Sequence, residues 1–409
     1  MTLFPLPLAQ LFGHWGAYVV FLLIGIAFGY VLEIAGFGNS RLLAAQFYFK
    51  DMRVLKVMFT GIVVAMVLVF GATAVGLLDF NLVWVPPTYF WPGIVGGLIM
   101  GAGFIIGGFC PGTSLVAAAT LKIDGVFFVM GAFFGIFLFG ETVSYFNVFW
   151  NSSYMGRFTL PQLFGLDTGV VVLLVVLMAL FMFWGSEQLE RIFGKKDPKQ
   201  APKWRFAAAG ALVLGALGVM IIGQPTPIDR WNSISREKEI LLEDRAVQIH
   251  PGELLDIIHD NNIKVIMLDV RDEVDYNIFH ILDSRHIPLE EIPDIISDLH
   301  FEPANTVFVT MSNDETAATE AWKILVAESV PNVYLLEGGV NNWIAVFGDD
   351  DLTKTFNRGS GDDQLCYIFD SALGARNPAA EPDLQDLVIE YTPKVKLENK
   401  RAPISGGCG

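Results

Sequence analysis

Six long apolar stretches in the first half of the sequence restrict the folds that it can adopt. They lie near residues 15–34, 55–78, 91–107, 125–144, 169–185 and 206–223. Each is long enough, as an α-helix, to cross the roughly 30 Å of hydrocarbon in a bilayer. Because a spanning helix satisfies its own backbone hydrogen bonds, the pattern predicts a polytopic α-helical membrane bundle of about six spans.

The charge of the chain is divided unevenly between two regions. Residues 1–224 carry a net charge of +3 and residues 225–409 carry −19, which together give the −16 of the 409-residue chain. A region this acidic is not expected to bind nucleic acid or an anionic lipid surface. The three cysteines make no disulfide framework, and we expect no metal and no cofactor.

Two shorter apolar segments, residues 40–49 and 113–121, follow glycine-rich breaks and are too short to span. Broken helices at membrane depth line cavities or are buried in protein, and transporters build sites from them. The breaks belong to an internal repeat with an offset of 72 residues, in which Gly36-Phe37-Gly38 matches Gly108-Phe109-Cys110 and Lys50 matches Lys122. Two spans per unit predict parallel repeat units, each with a re-entrant half-helix.

The distribution of Lys and Arg in the short loops predicts the orientation. These residues concentrate after the first, third and fifth predicted spans, which marks those loops as cytoplasmic. We interpret Lys50 and Lys122 as anchors of this kind, and Glu33 as an interfacial residue at a span end. With six spans in the cell (inner) membrane, both termini lie outside, and the acidic region is then periplasmic or extracellular.

The segment Gly107-Gly-Phe-Cys-Pro-Gly-Thr-Ser114 is the first candidate site. Its glycines and proline stop the third span, and Thr113 or Ser114 can cap the short helix that follows. The free N–H groups and the dipole at the start of that helix favour an anion. Cys110 directly precedes it, and the alternative is that Cys110 is merely a small buried residue. The candidate substrate-binding residues are Cys110, Gly108, Pro111, Gly112, Thr113 and Ser114, together with Gly38 of the first unit.

The run Gly-Phe-Cys-Pro-Gly-Thr at 108–113, followed by Lys-Ile-Asp-Gly and another apolar span, resembles the YeeE/YedE family of sulfur-compound transporters. The resemblance covers about residues 15–223. It implies import of thiosulfate or a related sulfur species, with Cys110 as a substrate contact. Gly38 stands where the first unit often has a cysteine, so the sequence departs from a multi-cysteine relay.

Beyond about residue 240, strands near 264–271, 306–310 and 332–336 alternate with helices near 251–259, 289–299 and 315–328. This alternation predicts an α/β fold with a parallel sheet. The runs Leu268-Asp-Val-Arg271 and Leu336-Glu-Gly-Gly339 resemble a rhodanese domain across about residues 240–348. We therefore assign residues 1–224 to the transmembrane domain, 225–239 to a linker, 240–348 to the rhodanese-like domain and 349–409 to a flexible tail.

Rhodaneses transfer sulfur through a cysteine at the head of the loop that follows a central strand. Here that loop reads Met311, Ser312, Asn313, Asp314, Glu315 and Thr316. A thioether can neither attack thiosulfate nor form a persulfide. The resemblance therefore implies a degenerate loop without a catalytic residue, and we predict a binding or docking module that is not an enzyme.

The chain ends Gly406-Gly-Cys-Gly409, which resembles the carrier arm of the SoxY sulfur-carrier proteins. The resemblance implies that Cys408 carries sulfur, and the alternative is an incidental cysteine in a disordered end. Cys366 lies in an apolar segment, so we predict that it is packed.

Three hypotheses follow for the function. The leading one is transport of a small sulfur-containing anion, thiosulfate or sulfane sulfur, past Cys110, with the outer module and Cys408 for capture or hand-over. The second is a membrane-tethered sulfurtransferase. The third is a membrane anchor that docks a soluble sulfur-carrier protein without transport.

Overall fold

A computed structural model of the chain describes residues 4–195, 203–348, 363–384 and 390–397. These residues divide into two compact units, and the division falls between Gln224 and Pro225. The N-terminal unit is helical throughout, whereas the C-terminal unit is built on a parallel sheet.

Helices form the N-terminal unit because its apolar runs are long enough to satisfy their backbone hydrogen bonds internally. Six helical segments in its described residues are long and apolar enough to cross a membrane, which confirms the six predicted spans. The first is interrupted at Gly13, where φ is +69°, so its regular part starts close to the predicted Trp15. The helices are α1 (Leu8–Ile34), α2 (Ser40–Ala45), α3 (Arg53–Ala74), α4 (Phe90–Gly107), α5 (Pro111–Ala119), α6 (Ile123–Thr142), α7 (Asn147–Trp150), α8 (Leu160–Phe164), α9 (Thr168–Ile192) and α10 (Trp204–Ile222).

The internal repeat is visible in the backbone of the two breaks. Gly36 and Gly108 both have positive φ, +85° and +70°, and each precedes a phenylalanine that is only 1% exposed. Phe37 and Phe109 belong to one apolar cluster together with Leu43. The two repeat units therefore share a core at the level of the breaks.

The ends of the two half-helices repeat as well. Phe49 and Leu121 both adopt the left-handed conformation, with φ of +55° and +57°. The amide of Lys50 then bonds the carbonyl of residue 45 at 3.1 Å, and the amide of Lys122 bonds the carbonyl of residue 117 at 3.0 Å. Carbonyls left over at a helix end are commonly satisfied by such a turn. The structure confirms the two half-helices, although α2 is continued by a 3-10 turn at Gln46–Tyr48.

The C-terminal unit contains a five-stranded parallel sheet in the order β1-β5-β4-β2-β3. The three long strands were predicted, whereas the two edge strands are only two residues long and leave no periodic pattern. The strands are β1 (Gln248–Ile249), β2 (Lys264–Asp269), β3 (Arg285–His286), β4 (Thr306–Met311) and β5 (Val333–Leu336). The helices are α11 (Pro227–Glu243), α12 (Pro251–Ile258), α13 (Glu273–Ile278), α14 (Ile292–Leu299), α15 (Thr316–Ala327) and α16 (Gly339–Phe347).

The segment expected to be a linker, residues 225–239, lies mostly in α11. Thr226 caps this helix, and hydrogen bonds from Thr226 hold the pKa of Asp229 below its ordinary value. Trp231 packs edge-on against Trp322 of α15, with ring centroids 6.3 Å apart. Arg230 also pairs with Glu328. The helix is therefore part of the α/β unit and not a free connection.

Two stretches of the expected flexible tail, residues 363–384 and 390–397, pack on the α/β unit. The indole N–H of Trp343 donates to the carbonyl of Ala379 at 2.7 Å, and the amides of Lys394 and Val395 both donate to Glu253 Oε1 at 2.7 Å. The C-terminal segment contributes backbone amides and carbonyls to these bonds. Its polar, proline-rich side chains therefore give no sign that it packs on the α/β unit. Cys408 lies outside the described residues.

Candidate functional site

Cys110 is the N-cap of α5, and its thiol lies at the positive end of that helix. Cys110 Sγ accepts a hydrogen bond from the Thr113 amide at 3.5 Å, and the Thr113 hydroxyl accepts one from the Cys110 amide at 2.9 Å. The N-cap is thus Cys110 and not Thr113 or Ser114 as predicted, although Thr113 completes a capping box from the third helical position. The helix begins earlier because Pro111 is favourable at a first helical position, where an N–H is not needed.

The hydroxyl groups of the break point back into α5. Ser114 is buried and donates to the Pro111 carbonyl at 2.7 Å, while Thr113 is buried beside Cys110. Cys110 and Gly112 remain partly exposed, and Pro111 is exposed. The break therefore presents a thiol and a short stretch of backbone, and its two hydroxyls stabilise the turn.

The two breaks lie next to each other. A Cβ added at Gly108 would lie 3.2 Å from both Cβ and the carbonyl oxygen of Ser40, the first residue of α2. Ser40 in turn donates to Asp124 of α6 at 2.8 Å. The structure thus places Gly108 of the second unit directly on the start of the half-helix in the first unit.

Gly38, the counterpart of Cys110 in the first unit, is buried under an ion pair. Lys122 Nζ lies 3.3 Å from Glu33 Oε1, and a Cβ at Gly38 would collide with Glu33 Oε2 and lie 2.9 Å from Lys122 Nζ. The sequence predicts an anchoring role for Lys122 and an interfacial position for Glu33, but it does not predict that the two residues pair. Their 89-residue separation leaves no local signal for the pair, although the repeat already singled out Lys122.

In the α/β unit, Met311 ends the central strand β4 and is completely buried in the core. The next two residues, Ser312 and Asn313, are buried too, and their carbonyls accept hydrogen bonds from Val340 and Asn341 at 2.8 and 3.0 Å. The loop is therefore held against the start of α16, with the thioether directed into the core.

Arg271 is the buried cation nearest this loop, but a carboxylate already neutralises it. Its guanidinium donates to Asp269 at 2.8 and 2.6 Å, to Asn313 Oδ1 at 3.2 Å and to the Phe279 carbonyl at 2.8 Å. These contacts engage all three of its nitrogens. Arg271 thus supports the loop with four of its five N–H groups, and Asp269 compensates its charge.

Asp363, from the C-terminal segment, occupies the loop. Its carboxylate accepts hydrogen bonds from the amides of Asp314 and Ala317, both at 2.9 Å, and its carbonyl accepts one from Asn313 Nδ2 at 2.9 Å. Burial raises the pKa of Asp363, and the neighbouring charge of Asp314 adds to the effect. Burial also acts to raise the pKa of Asp314, but hydrogen bonds, first from Thr316, outweigh it and lower that pKa. No sequence pattern linked Asp363 to this loop.

Comparison with known protein families gives two matches along the chain. Residues 34–234 match the family described as sulphur transport, and residues 250–346 match the rhodanese-like domain. Comparison with curated proteins gave no match, and comparison with solved structures gave none either.

Proposed function

The chain joins a domain of the sulphur transport family, residues 34–234, to a rhodanese-like domain, residues 250–346, and we propose that this multi-pass membrane protein carries thiosulfate past the break at Cys110. We take residues 1–224 as the transport domain and 240–348 as its rhodanese-like partner. From the loop charges we place the protein in the inner membrane with the C-terminal unit outside.

The thiol at the N-cap of α5 carries this proposal. Thiosulfate is a small anion with a polarisable terminal sulfur, so it needs positive potential and a soft contact. The start of α5 supplies the potential because its first N–H groups and its dipole point toward the cap. Cys110 Sγ supplies the soft contact. Thr113 and Ser114 contribute by fixing the cap, since their hydroxyls bond within the turn.

We propose that the rhodanese-like domain is an accessory and not a sulfurtransferase. Three features support this: Met311 has no ionisable S–H, Arg271 is neutralised by Asp269, and Asp363 engages the loop amides. A domain of this kind suits docking of a soluble sulfur-carrier protein or capture of substrate. Cys408, which lies outside the described residues, is our candidate for holding sulfur during hand-over.

Uptake of labelled thiosulfate into proteoliposomes tests the transport proposal. Cys110→Ala and Cys110→Ser should reduce the initial rate to the level of empty liposomes. Cys366→Ala is the matched control, since Cys366 packs against the core of the α/β unit, and it should leave uptake unchanged. Undiminished uptake by well-inserted Cys110 variants would refute a role for that thiol, and absence of uptake by the wild-type protein would refute the transport itself.

A further inference from the structure

The place in the first repeat unit that corresponds to Cys110 is filled by charged groups. Gly38 has no side chain, and the space where its Cβ would stand is taken by the carboxylate of Glu33 and the ammonium of Lys122. Glu33 comes from the end of α1 in the first unit, and Lys122 precedes α6 in the second. The ion pair therefore closes over the first break with one partner from each unit.

This ion pair is incomplete. Glu33 Oε1 lies 3.3 Å from Lys122 Nζ, whereas Glu33 Oε2 is shielded from solvent and has no hydrogen-bond partner among the described residues. A shielded carboxylate oxygen without a donor costs free energy. The Glu33 and Lys122 side chains are otherwise 41% and 38% exposed, so neither is locked in place by packing.

A second ion pair in the same unit shows the contrast. Glu190 is buried and uses both oxygens, since Oε1 accepts from the Met52 amide at 2.7 Å and Oε2 from Lys56 Nζ at 2.6 Å. That pair has the geometry expected of a structural contact between α3 and α9. The Lys122–Glu33 pair has a longer contact and an unused oxygen, which is the geometry of a pair that can exchange partners.

We propose that Lys122 is a second contact for the transported anion and that Glu33 is its resident counter-ion, which the anion displaces. The inference rests on the proposed transport function and deepens it. An ammonium group binds sulfur oxyanions through their oxygens, so the first break offers a cation, supplied by the second unit, where the second break offers the thiol of Cys110. Until the anion binds, the carboxylate of Glu33 pairs with the ammonium of Lys122. The absence of a side chain at Gly38 leaves room for both groups.

Lys50 provides a matched control inside the same fold. It occupies the position in the first unit that Lys122 occupies in the second, after a half-helix with the same terminal turn. Its ammonium, however, lies over the ring of Tyr48 at 5.9 Å and not beside a break. A general effect of positive charge at the cytoplasmic face would act at both lysines, whereas a substrate contact at the first break involves Lys122 alone.

The test measures KM and kcat for thiosulfate with the full chain in proteoliposomes. Lys122→Met should raise KM by about tenfold, the loss expected for a hydrogen bond to a charged group, while Lys50→Met changes KM by less than about twofold. Lys122→Arg should restore most of the affinity. Glu33→Gln should lower KM by about two- to fivefold because the competing carboxylate is removed.

Equal KM values for Lys122→Met, Lys50→Met and wild type would overturn the inference and leave the proposed transport standing. If Lys122→Met does not insert into the membrane, the KM values of Glu33→Gln and Lys122→Arg test the inference. An unchanged or raised KM in Glu33→Gln contradicts a displaceable counter-ion. Absence of thiosulfate uptake by the wild-type protein would instead overturn the proposed function itself, so the two failures are distinguishable.

Discussion

The carboxylate of Asp363 accepts a hydrogen bond from the amide of Asp314 at 2.9 Å, in the loop where a rhodanese would place its catalytic cysteine. The amide of Ala317 adds a second bond of equal length. Two amides at this loop are thus satisfied by the chain itself. The residue at 311 and the segment that closes the loop are therefore two separate features behind our proposal that the α/β unit is not a sulfurtransferase.

Restoring a cysteine at 311 should not restore sulfurtransferase activity. Met311 is completely buried and its loop amides are engaged, so a thiol placed there meets neither solvent nor an anion site. We expect Met311→Cys in the full chain to form no thiocyanate from thiosulfate and cyanide above the rate of Met311→Ala. Turnover by the Met311→Cys protein would show that the loop is open, and that Met311 alone accounts for the loss of activity.

Removal of the Asp363 carboxylate should open the loop. Asp363→Ala deletes the acceptor of two amide hydrogen bonds, each of which contributes about 1 kcal/mol. Hydrogen exchange of the Asp314 and Ala317 amides in the full chain should accelerate by about tenfold or more. Asp370→Ala, in the same segment, should leave these amides protected. Equal protection in wild type and Asp363→Ala would contradict the closure.

Alkaline pH should release the 390–397 segment from α12. Burial, and then hydrogen bonding to Asp256, raise the pKa of Tyr391 from its ordinary value of 10.0 to about 12. Because the folded-state pKa is the higher one, the stabilising effect of the neutral phenol is complete below pH 10 and is lost as pH rises from 10 toward 12.

The absorbance of the phenolate checks this prediction. In the full chain, the difference between wild type and Tyr391→Phe should show a titration near the raised value, together with loss of protection of the Lys394 amide. A titration of Tyr391 at its ordinary pKa would indicate that the contact with Asp256 does not persist in solution.

Gly38→Ala should damage the first break through a steric clash. The new Cβ would collide with Glu33 Oε2, but that oxygen ends a flexible, partly exposed side chain that can move aside, so the cost lies at the low end of the range for overpacking, about 1 kcal/mol. We expect a lower melting temperature for the detergent-solubilised protein, and Glu33→Ala in the same chain should remove most of the penalty. Gly101→Ala is the control because a Cβ there meets nothing within 4 Å. If Gly38→Ala lowers the melting temperature equally with Glu33 present and with Glu33→Ala, the clash does not involve Glu33.

Much of the membrane unit could be predicted because long apolar runs and glycine breaks are local signals. The spans, the half-helices and the repeat all follow from them. The Lys122–Glu33 pair could not be predicted, because it joins residues 89 positions apart whose charges also fit interfacial anchoring. The cap of α5 was misplaced because cysteine is not among the usual capping residues.

In the α/β unit, the central strands could be predicted from hydrophobic runs, whereas the degenerate loop is implied by the resemblance to rhodaneses and stays a prediction. The role of Asp363 was hidden because the contact lies 49 residues beyond Asp314, in a polar stretch typical of a disordered tail. Helix α11 was missed for a different reason. Its sequence is largely polar, and the apolar residues that pack it against the α/β unit are widely spaced, namely Trp231, Leu241 and Leu242.

The reactivity of Cys110 tests the central claim most directly. In a full chain with Cys366→Ala and Cys408→Ala, Cys110 is the only remaining thiol, and its alkylation rate can be followed by mass spectrometry. If thiosulfate contacts Cys110 Sγ, saturating thiosulfate should slow this alkylation by about tenfold, while equal concentrations of chloride have no effect. An alkylation rate that thiosulfate leaves unchanged, in protein that takes up thiosulfate, would contradict the placement of the substrate at Cys110.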